Sequence, residues 1–250
     1  MTVRRRYEDS CGMAQGLNLV GDRWALLVVR ELVLGPRRFT DLRADLPGIS
    51  PNVLSQRLEE LEAAAVLRRR RLPPPAPAQV YELTEWGAEL ETVIVQLGRW
   101  GARSPSFDRE SGLSASSAVL SMRTMFRAEA AGGLSLRLAL RLGERTFRAT
   151  VANGRLDVVP ADDLGPAGAR PRSGDADLLG PGPGDLLELG PGGVDAVVTA
   201  APGDLAGLLY DGLDLEVALR SGAVSVEGDV AALRSYLGCF WLPEPAPAPG

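Results

Sequence analysis

At 250 residues the chain has room for one or two domains, and about 100 residues are enough for either to bury a core. Its 27 basic residues are all Arg, and there is no His, so the commonest general base and metal ligand is missing. A net charge of −5 excludes a protein basic throughout, two cysteines cannot build a disulfide framework, and no run reaches the roughly 18 apolar residues of a membrane span.

Charge is distributed unevenly. Residues 1–110 hold 16 Arg against 15 acidic residues, whereas residues 111–250 hold 11 against 17. The first part is near neutral with clustered Arg; the second is acidic. No leading segment has the charged, apolar and cleavage-site order of a signal peptide, so a cytoplasmic protein is expected.

The polar arm Met1 to Asp9 carries Arg4, Arg5 and Arg6, and reads as disordered or as a phosphate contact. Cys11 to Val20 reads as a short helix, broken by Gly21-Asp22. Arg23 to Leu34 reads as a buried helix with Arg30 and Glu31 on its wet side, stopped by Gly35-Pro36. Phe39 to Leu46 places Phe39, Leu42 and Leu46 on one face, and Pro47-Gly48 turns the chain. Ser50 to Ala63 follows. Ser50 is a suitable N-cap, Pro51 suits the first helical position, and Leu54, Leu58 and Leu61 form an apolar stripe. Asn52, Gln56 and Arg57 are side-chain types that read base edges in a major groove.

Val66 to Leu72 and Gln79 to Leu83 read as the two strands of a wing, joined by the stiff loop Pro73 to Ala78. Four consecutive Arg, Arg68 to Arg71, must alternate between two faces of the first strand, so two of them face DNA. Thr84 caps a long helix through Arg103, whose Leu90, Ile94, Leu97 and Trp100 form a face that should bury against a second subunit. This order of elements is that of a winged helix-turn-helix. The expected DNA contacts are Arg37, Arg38, Ser50, Pro51, Asn52, Ser55, Gln56, Arg57, Arg69 and Arg71, with the flanking Arg on phosphates and the helix on bases.

Several blocks in register resemble the HxlR-type transcriptional regulators across residues 7–104: Gly21-Asp22-Arg23-Trp24, Gly35-Pro36-Arg37-Arg38-Phe39 with Leu42, Ile49-Ser50-Pro51 with Leu54, Arg57-Leu58 and Leu61, Tyr81-Glu82-Leu83-Thr84 with Gly87, and Trp100-Gly101. The resemblance implies a homodimer formed through the first and last helices, bound to double-stranded operator DNA. The proline-rich wing tip departs from the pattern by lacking charge. Some members of the family use a cysteine at the position of Cys11 as a redox switch. The alternative reading of Cys11 is a small packed residue at a dimer interface.

Pro105 to Ser114 reads as a linker. Ala115 to Ala131 is an expected helix, Leu134 to Leu142 a strand of period two, and Arg145 to Val151 and Arg155 to Val159 a hairpin turned by Asn153-Gly154. Pro160 to Gly174 and Leu178 to Gly193 are Gly- and Pro-rich and read as irregular. Val194 to Ala200 is a strand, Pro202 to Tyr210 and Leu213 to Ser221 are helices, Ala223 to Glu227 is a strand, and Asp229 to Phe240 is a closing helix ahead of the low-complexity tail PEPAPAPG. The order, and above all Val224 to Asp229 feeding the last helix, resembles the sterol-carrier-protein family over residues 115–242. Members of that family hold apolar molecules between sheet and helices.

The expected fold class is therefore α+β. A winged helix-turn-helix domain (1–104) and a linker (105–114) precede a sterol-carrier-like α+β domain (115–242) and a disordered tail (243–250). Met122, Met125, Phe126, Phe147, Tyr210, Phe240 and Trp241 are candidates to line an apolar site, with core packing as the alternative for each. No acidic cluster has metal-ligand spacing, and the Gly-rich stretches carry Pro where phosphate-cradling N–H groups would be needed. Neither enzyme activity, nor a metal, nor a cofactor is expected. Three functions remain open: a dimeric operator-binding regulator sensing a hydrophobic small molecule, a redox-responsive repressor acting through Cys11, and an apolar carrier whose DNA-binding half is secondary.

Overall fold

The computed structural model describes residues 7–72, 78–109, 112–161 and 193–247. The arm through residue 6, the wing tip at 73–77, most of the Gly-rich stretches (162–192) and the last three residues of the tail lie outside them. The chain divides into two units, residues 1–98 and 99–250.

The first unit holds α1 (Gly12–Val20), α2 (Ala25–Leu32), α3 (Phe39–Asp45), α4 (Pro51–Ala63), strands β1 (Leu67–Arg71) and β2 (Gln79–Leu83), α5 (Glu85–Ala88) and most of α6 (Leu90–Gly101). Its core joins Val28, Val29 and Leu32 of α2, Leu42 of α3, the stripe Leu54, Leu58 and Leu61 of α4, and Val66, Leu67 and Tyr81 of the wing. The leucine stripe is the expected one, because spacings of four and three return to the same helix face. The expected first helix, third helix and wing strands are all present.

Three details differ. α2 begins at Ala25, because Trp24 takes a left-handed backbone, φ 79°, and no helix can pass through it. Glu31 is fully buried where a wet position was expected; the Arg30 guanidinium lies against it, at 2.9 and 2.7 Å, and screens its charge. The last helix divides into α5 and α6 after Ala88.

The joint between α4 and the wing is tightly specified. The N–H of Val66 bonds to the carbonyl of Leu61 and that of Ala65 to Glu62, both at 2.9 Å. That double closure needs a left-handed residue, and Ala65 supplies it at φ 56°. Thr84 then accepts from the N–H of Gly87 at 2.9 Å and donates to the carbonyl of Ala65 at 2.7 Å.

Among the described residues the second unit is built on a five-stranded sheet of β3 (Leu136–Leu142), β4 (Arg145–Ala152), β5 (Arg155–Pro160), β6 (Ala196–Ala200) and β7 (Val224–Gly228), in the order β5-β4-β3-β6-β7. β3 and β6 are parallel and the other neighbours antiparallel. Alternation puts Leu136, Leu138, Leu140, Phe147, Ala149, Val151 and Val198 in the core, while Arg137, Arg141 and Arg148 stand on the other side. The hairpin at Asn153-Gly154 has both turn residues at positive φ, 52° and 71°, as a tight two-residue turn requires.

Among the described residues the unit also holds helices α7 (Ala115–Met125), α8 (Ala128–Ala131), α9 (Pro202–Tyr210), α10 (Leu215–Ser221) and α11 (Val230–Leu237). The single helix expected over 115–131 is interrupted: Phe126 is extended and pairs with Phe240, and the N–H of Arg127 bonds to the carbonyl of Cys239 at 2.8 Å. The described part of the tail is also held, where disorder was expected. The N–H of Ala246 bonds to the Arg103 carbonyl at 2.7 Å, and Arg103 Nε to the Glu244 carbonyl at 3.1 Å.

Candidate DNA-reading surface and the apolar core of the second unit

α4 is presented as a recognition helix would need to be. Ser50 accepts from the N–H of Val53 at 3.3 Å, Pro51 opens the helix, and the leucine stripe anchors it. Ser50, Pro51, Asn52, Ser55 and Gln56 are exposed on its outer surface. Gln56 Nε2 donates to Glu60 at 3.0 Å, a contact within the same helix that DNA could replace.

The arginines divide into committed and open ones. Arg57 is turned inward. Its side chain is 10% exposed, and Nη1 bonds Asp22 at 2.7 Å and Glu60 at 2.5 Å. The sequence assigns it to the bases; in this structure its guanidinium is held by two carboxylates. Arg37, also assigned to DNA from the sequence, is engaged within the protein. It pairs with Asp45, and its backbone exchanges hydrogen bonds of 2.9 and 2.8 Å with Tyr81, an isolated bridge beside the two-stranded wing. Arg38 is exposed.

On β1 the four arginines alternate as expected. Arg68 and Arg70 share Glu82 across the hairpin, each at 2.7 Å. Partial burial works against the Glu82 carboxylate, but hydrogen bonds and charge from Arg70 and Arg68 outweigh it and hold its pKa below the ordinary value. Arg69 lies on the other face, 2.9 Å from Glu62 of α4 and over the Tyr81 ring. Arg71 is exposed and forms no ion pair among the described residues. The partners Asp22, Glu60, Glu62 and Glu82 were not foreseen; the i,i+3 spacing of Arg57 and Glu60 was the only local signal for any of them.

Cys11 is exposed at the N-terminal edge of α1. Backbone N–H groups of Met13 and Ala14 lower its pKa, so a larger fraction is thiolate than in an ordinary cysteine. Cys239 is buried, and desolvation raises its pKa. Beside Cys11, α1 exposes Met13 and Leu17, and α6 exposes Val93, Leu97 and Trp100, the last at 74%.

In the second unit the expected apolar residues partly converge. Phe126 meets Phe240 edge-on with centroids 5.8 Å apart, and Phe240 meets Tyr236 at 4.8 Å. The Tyr236 hydroxyl lies 3.0 Å from the sulfur of Met122. Tyr210 bonds Ser121 at 3.1 Å, one residue before Met122. Burial raises the pKa of both tyrosines, so both stay protonated. Met125 is buried on α7, and its carbonyl accepts from the N–H of Trp241 at 3.4 Å. The Trp241 indole lies under the Arg127 guanidinium at 4.5 Å and is only half-buried. Phe147 is fully buried on the sheet side, opposite Leu140. Tyr236, at the centre of the cluster, was missed; its i,i+4 spacing from Phe240 was the available signal.

Four helices, a two-stranded wing and an exposed polar helix face define a winged helix-turn-helix of the nucleic-acid-binding class. A model described as "HxlR-like helix-turn-helix" matches residues 19–107. The HTH-type transcriptional regulator YodB of Bacillus subtilis is 35% identical over 88 residues, which are 35% of this chain and 79% of YodB. YvaP of the same organism, an uncharacterised HTH-type transcriptional regulator, is 34% identical over 95 residues, 37% of this chain and 88% of YvaP. Among solved structures, the redox regulator HypR in its oxidised form is 29% identical, with a TM-score of 0.36, and spans 39% of this chain and all of HypR. The chain belongs to the HxlR-like helix-turn-helix family and is a transcriptional regulator of that class. Among the described residues no helix is long and apolar enough to cross a membrane, and no group of His, Cys, Asp and Glu could hold a metal ion.

Proposed function

We propose that the protein is a homodimeric, sequence-specific DNA-binding regulator, with α4 of each protomer in the major groove of one operator half-site. The observation that carries this is the outward display of Asn52, Ser55 and Gln56 on a helix whose other side is locked into the core. Arg38 and Arg71 supply phosphate contacts. The apolar side chains exposed on α1 and α6 form the dimer interface. The second unit, a one-sided sheet backed by helices with an aromatic and thioether cluster, is a sterol-carrier-like domain that senses a hydrophobic small molecule. Such a ligand acts only through its difference in affinity for the DNA-bound and free states.

A second reading is favoured by Cys11. Its exposure and lowered pKa suit a thiol switch, in which the second unit is scaffold.

The test is anisotropy of a labelled duplex from the region upstream of the protein's own gene, titrated with salt, a pyrene-labelled fatty acid and a mild oxidant. Wild type and Cys11→Ser are compared. Sequence-dependent, salt-sensitive binding is expected, altered by the fatty acid in both proteins. A response to oxidant alone, in wild type alone, assigns sensing to the thiol. Uptake of the fatty acid with no sequence-dependent DNA binding would leave the carrier reading.

A further inference from the structure

We infer that Arg57 is a positioning residue of the recognition helix and that the turn after α1 is the part it fixes the helix against. The inference rests on the DNA-binding reading above and deepens it. Arg57 sits midway along α4, and its Nη1 is shared between Glu60 on the same helix and Asp22 on the turn Gly21 to Trp24. The Glu60 contact orients the guanidinium; the Asp22 contact ties α4 to a separate element.

The same turn also lies beside the loop that leads into α4. The edge of the Trp24 indole lies 3.9 Å from where a Cβ of Gly48 would stand, in the loop that leads into α4. The turn itself has little freedom. Trp24 holds φ 79°, and a side chain at Gly21 would overlap the Leu17 carbonyl. A turn that lies beside the approach to a helix and is bonded to its middle bears on where that helix points. Because the turn follows directly on α1, a displacement of α1 carries Asp22 with it and reaches the recognition helix through Arg57.

A base-reading role would require the guanidinium to leave two carboxylates that would then face each other as like charges. Arg57 therefore contributes to affinity for every operator sequence alike, while Asn52, Ser55 and Gln56 discriminate among bases.

The test uses the full chain and a duplex enriched by the wild type from a randomised library, together with all single-base-pair variants of that duplex. Arg57→Ala should bind the duplex about tenfold more weakly or worse, and Asp22→Asn should show a smaller loss. In both, the affinity ratios across the variant panel should stay within about twofold of wild type, and the double variant should bind no more weakly than Arg57→Ala. Loss of preference at one base pair in Arg57→Ala but not in Asp22→Asn overturns the inference, as does wild-type affinity in Arg57→Ala. If Arg57→Ala does not fold, Asp22→Asn decides: weaker binding with preserved ratios supports the inference, and unchanged binding overturns it. A wild type that enriches no sequence overturns the DNA-binding reading and this inference with it; a wild type that enriches one separates the two.

Discussion

Gly87→Ala should loosen the wing from the recognition helix. A methyl group at Gly87 would overlap the Val66 carbonyl oxygen and lie 2.8 Å from its carbon. The obstacle is backbone, so no rotamer change can relieve it. The carbonyl that must yield already accepts from the Thr84 N–H at 3.0 Å and from the Thr84 hydroxyl at 3.2 Å. Overpacking costs about 1–3 kcal/mol, and each weakened hydrogen bond adds about 1 kcal/mol. The expected loss is therefore about 3 kcal/mol, and it falls where α4 passes into β1. Urea unfolding of the full chain, followed by Trp fluorescence, should show the transition of the first unit at lower denaturant. Thr84→Ala, which removes the hydroxyl bonds but adds no bulk, should cost about 1–2 kcal/mol. A Gly87→Ala midpoint equal to that of wild type would refute the reasoning, since it would mean that the Gly87–Val66 approach is not closed in solution.

Ala65→Gly at the same joint should stabilise the first unit by about 1 kcal/mol in the same assay, because a left-handed Ala is exchanged for the residue that favours that conformation. Glu82 has a depressed pKa in the folded protein, so its stabilising contribution is complete above its unfolded pKa and is lost as pH falls through the folded one. Glu82→Gln should flatten the acid limb of urea midpoints measured between about pH 7 and about pH 3; an unchanged limb would place that dependence elsewhere. Leu97→Asp, on the exposed face of α6, should leave far-UV dichroism intact and shift sedimentation to a monomer; a persisting dimer would show that the interface is elsewhere. Cys11 should react with iodoacetamide well before Cys239, with a pH midpoint below that of a free thiol, and similar rates for both would contradict the structure. Since Arg38 and Arg71 are the open cations of the set assigned to DNA, the log–log salt slope of a dimer should lie nearer about 4 than the value of about 9 that all five arginines per protomer would give.

Periodicity carried most of the fold. The stripe Leu54, Leu58 and Leu61, the alternation in β3 and the positive-φ turn at Asn153-Gly154 are local patterns with one physical solution each. Legibility ended where the deciding contact lay far along the chain. Nothing local says that Asp22 waits for Arg57, 35 residues away, or that Phe240 draws Phe126 out of its helix. Glu31 was misplaced for a related reason: its neighbour Arg30 folds over it and makes burial tolerable, whereas helical position alone argued for solvent. In the second unit the aromatic residues were identifiable as apolar, but Trp241 proved to lie beneath a guanidinium, which composition cannot reveal.

The internal pairing of arginines bears on how the surface could discriminate. Arg37, Arg57 and Arg69, three of the five arginines assigned to DNA, already hold carboxylates in the free protein, and Arg68 and Arg70 share Glu82. A guanidinium that must give up a carboxylate to reach a phosphate gains only the difference between two similar partners, whereas an open one gains the full release of counterions. On the proposed reading, the sequence-independent part of binding is thereby kept small in a region whose Arg and acidic residues nearly balance. Affinity then depends more heavily on contacts that differ from one base pair to the next, and these can come only from a helix face that is both exposed and fixed in direction. Asn52, Ser55 and Gln56 meet the first condition, and the leucine stripe with the Asp22–Arg57 bridge meets the second. On the proposed reading, the clustered arginines of the sequence act mainly as structural ties that hold the reading surface, with Arg38 and Arg71 left to meet the phosphates.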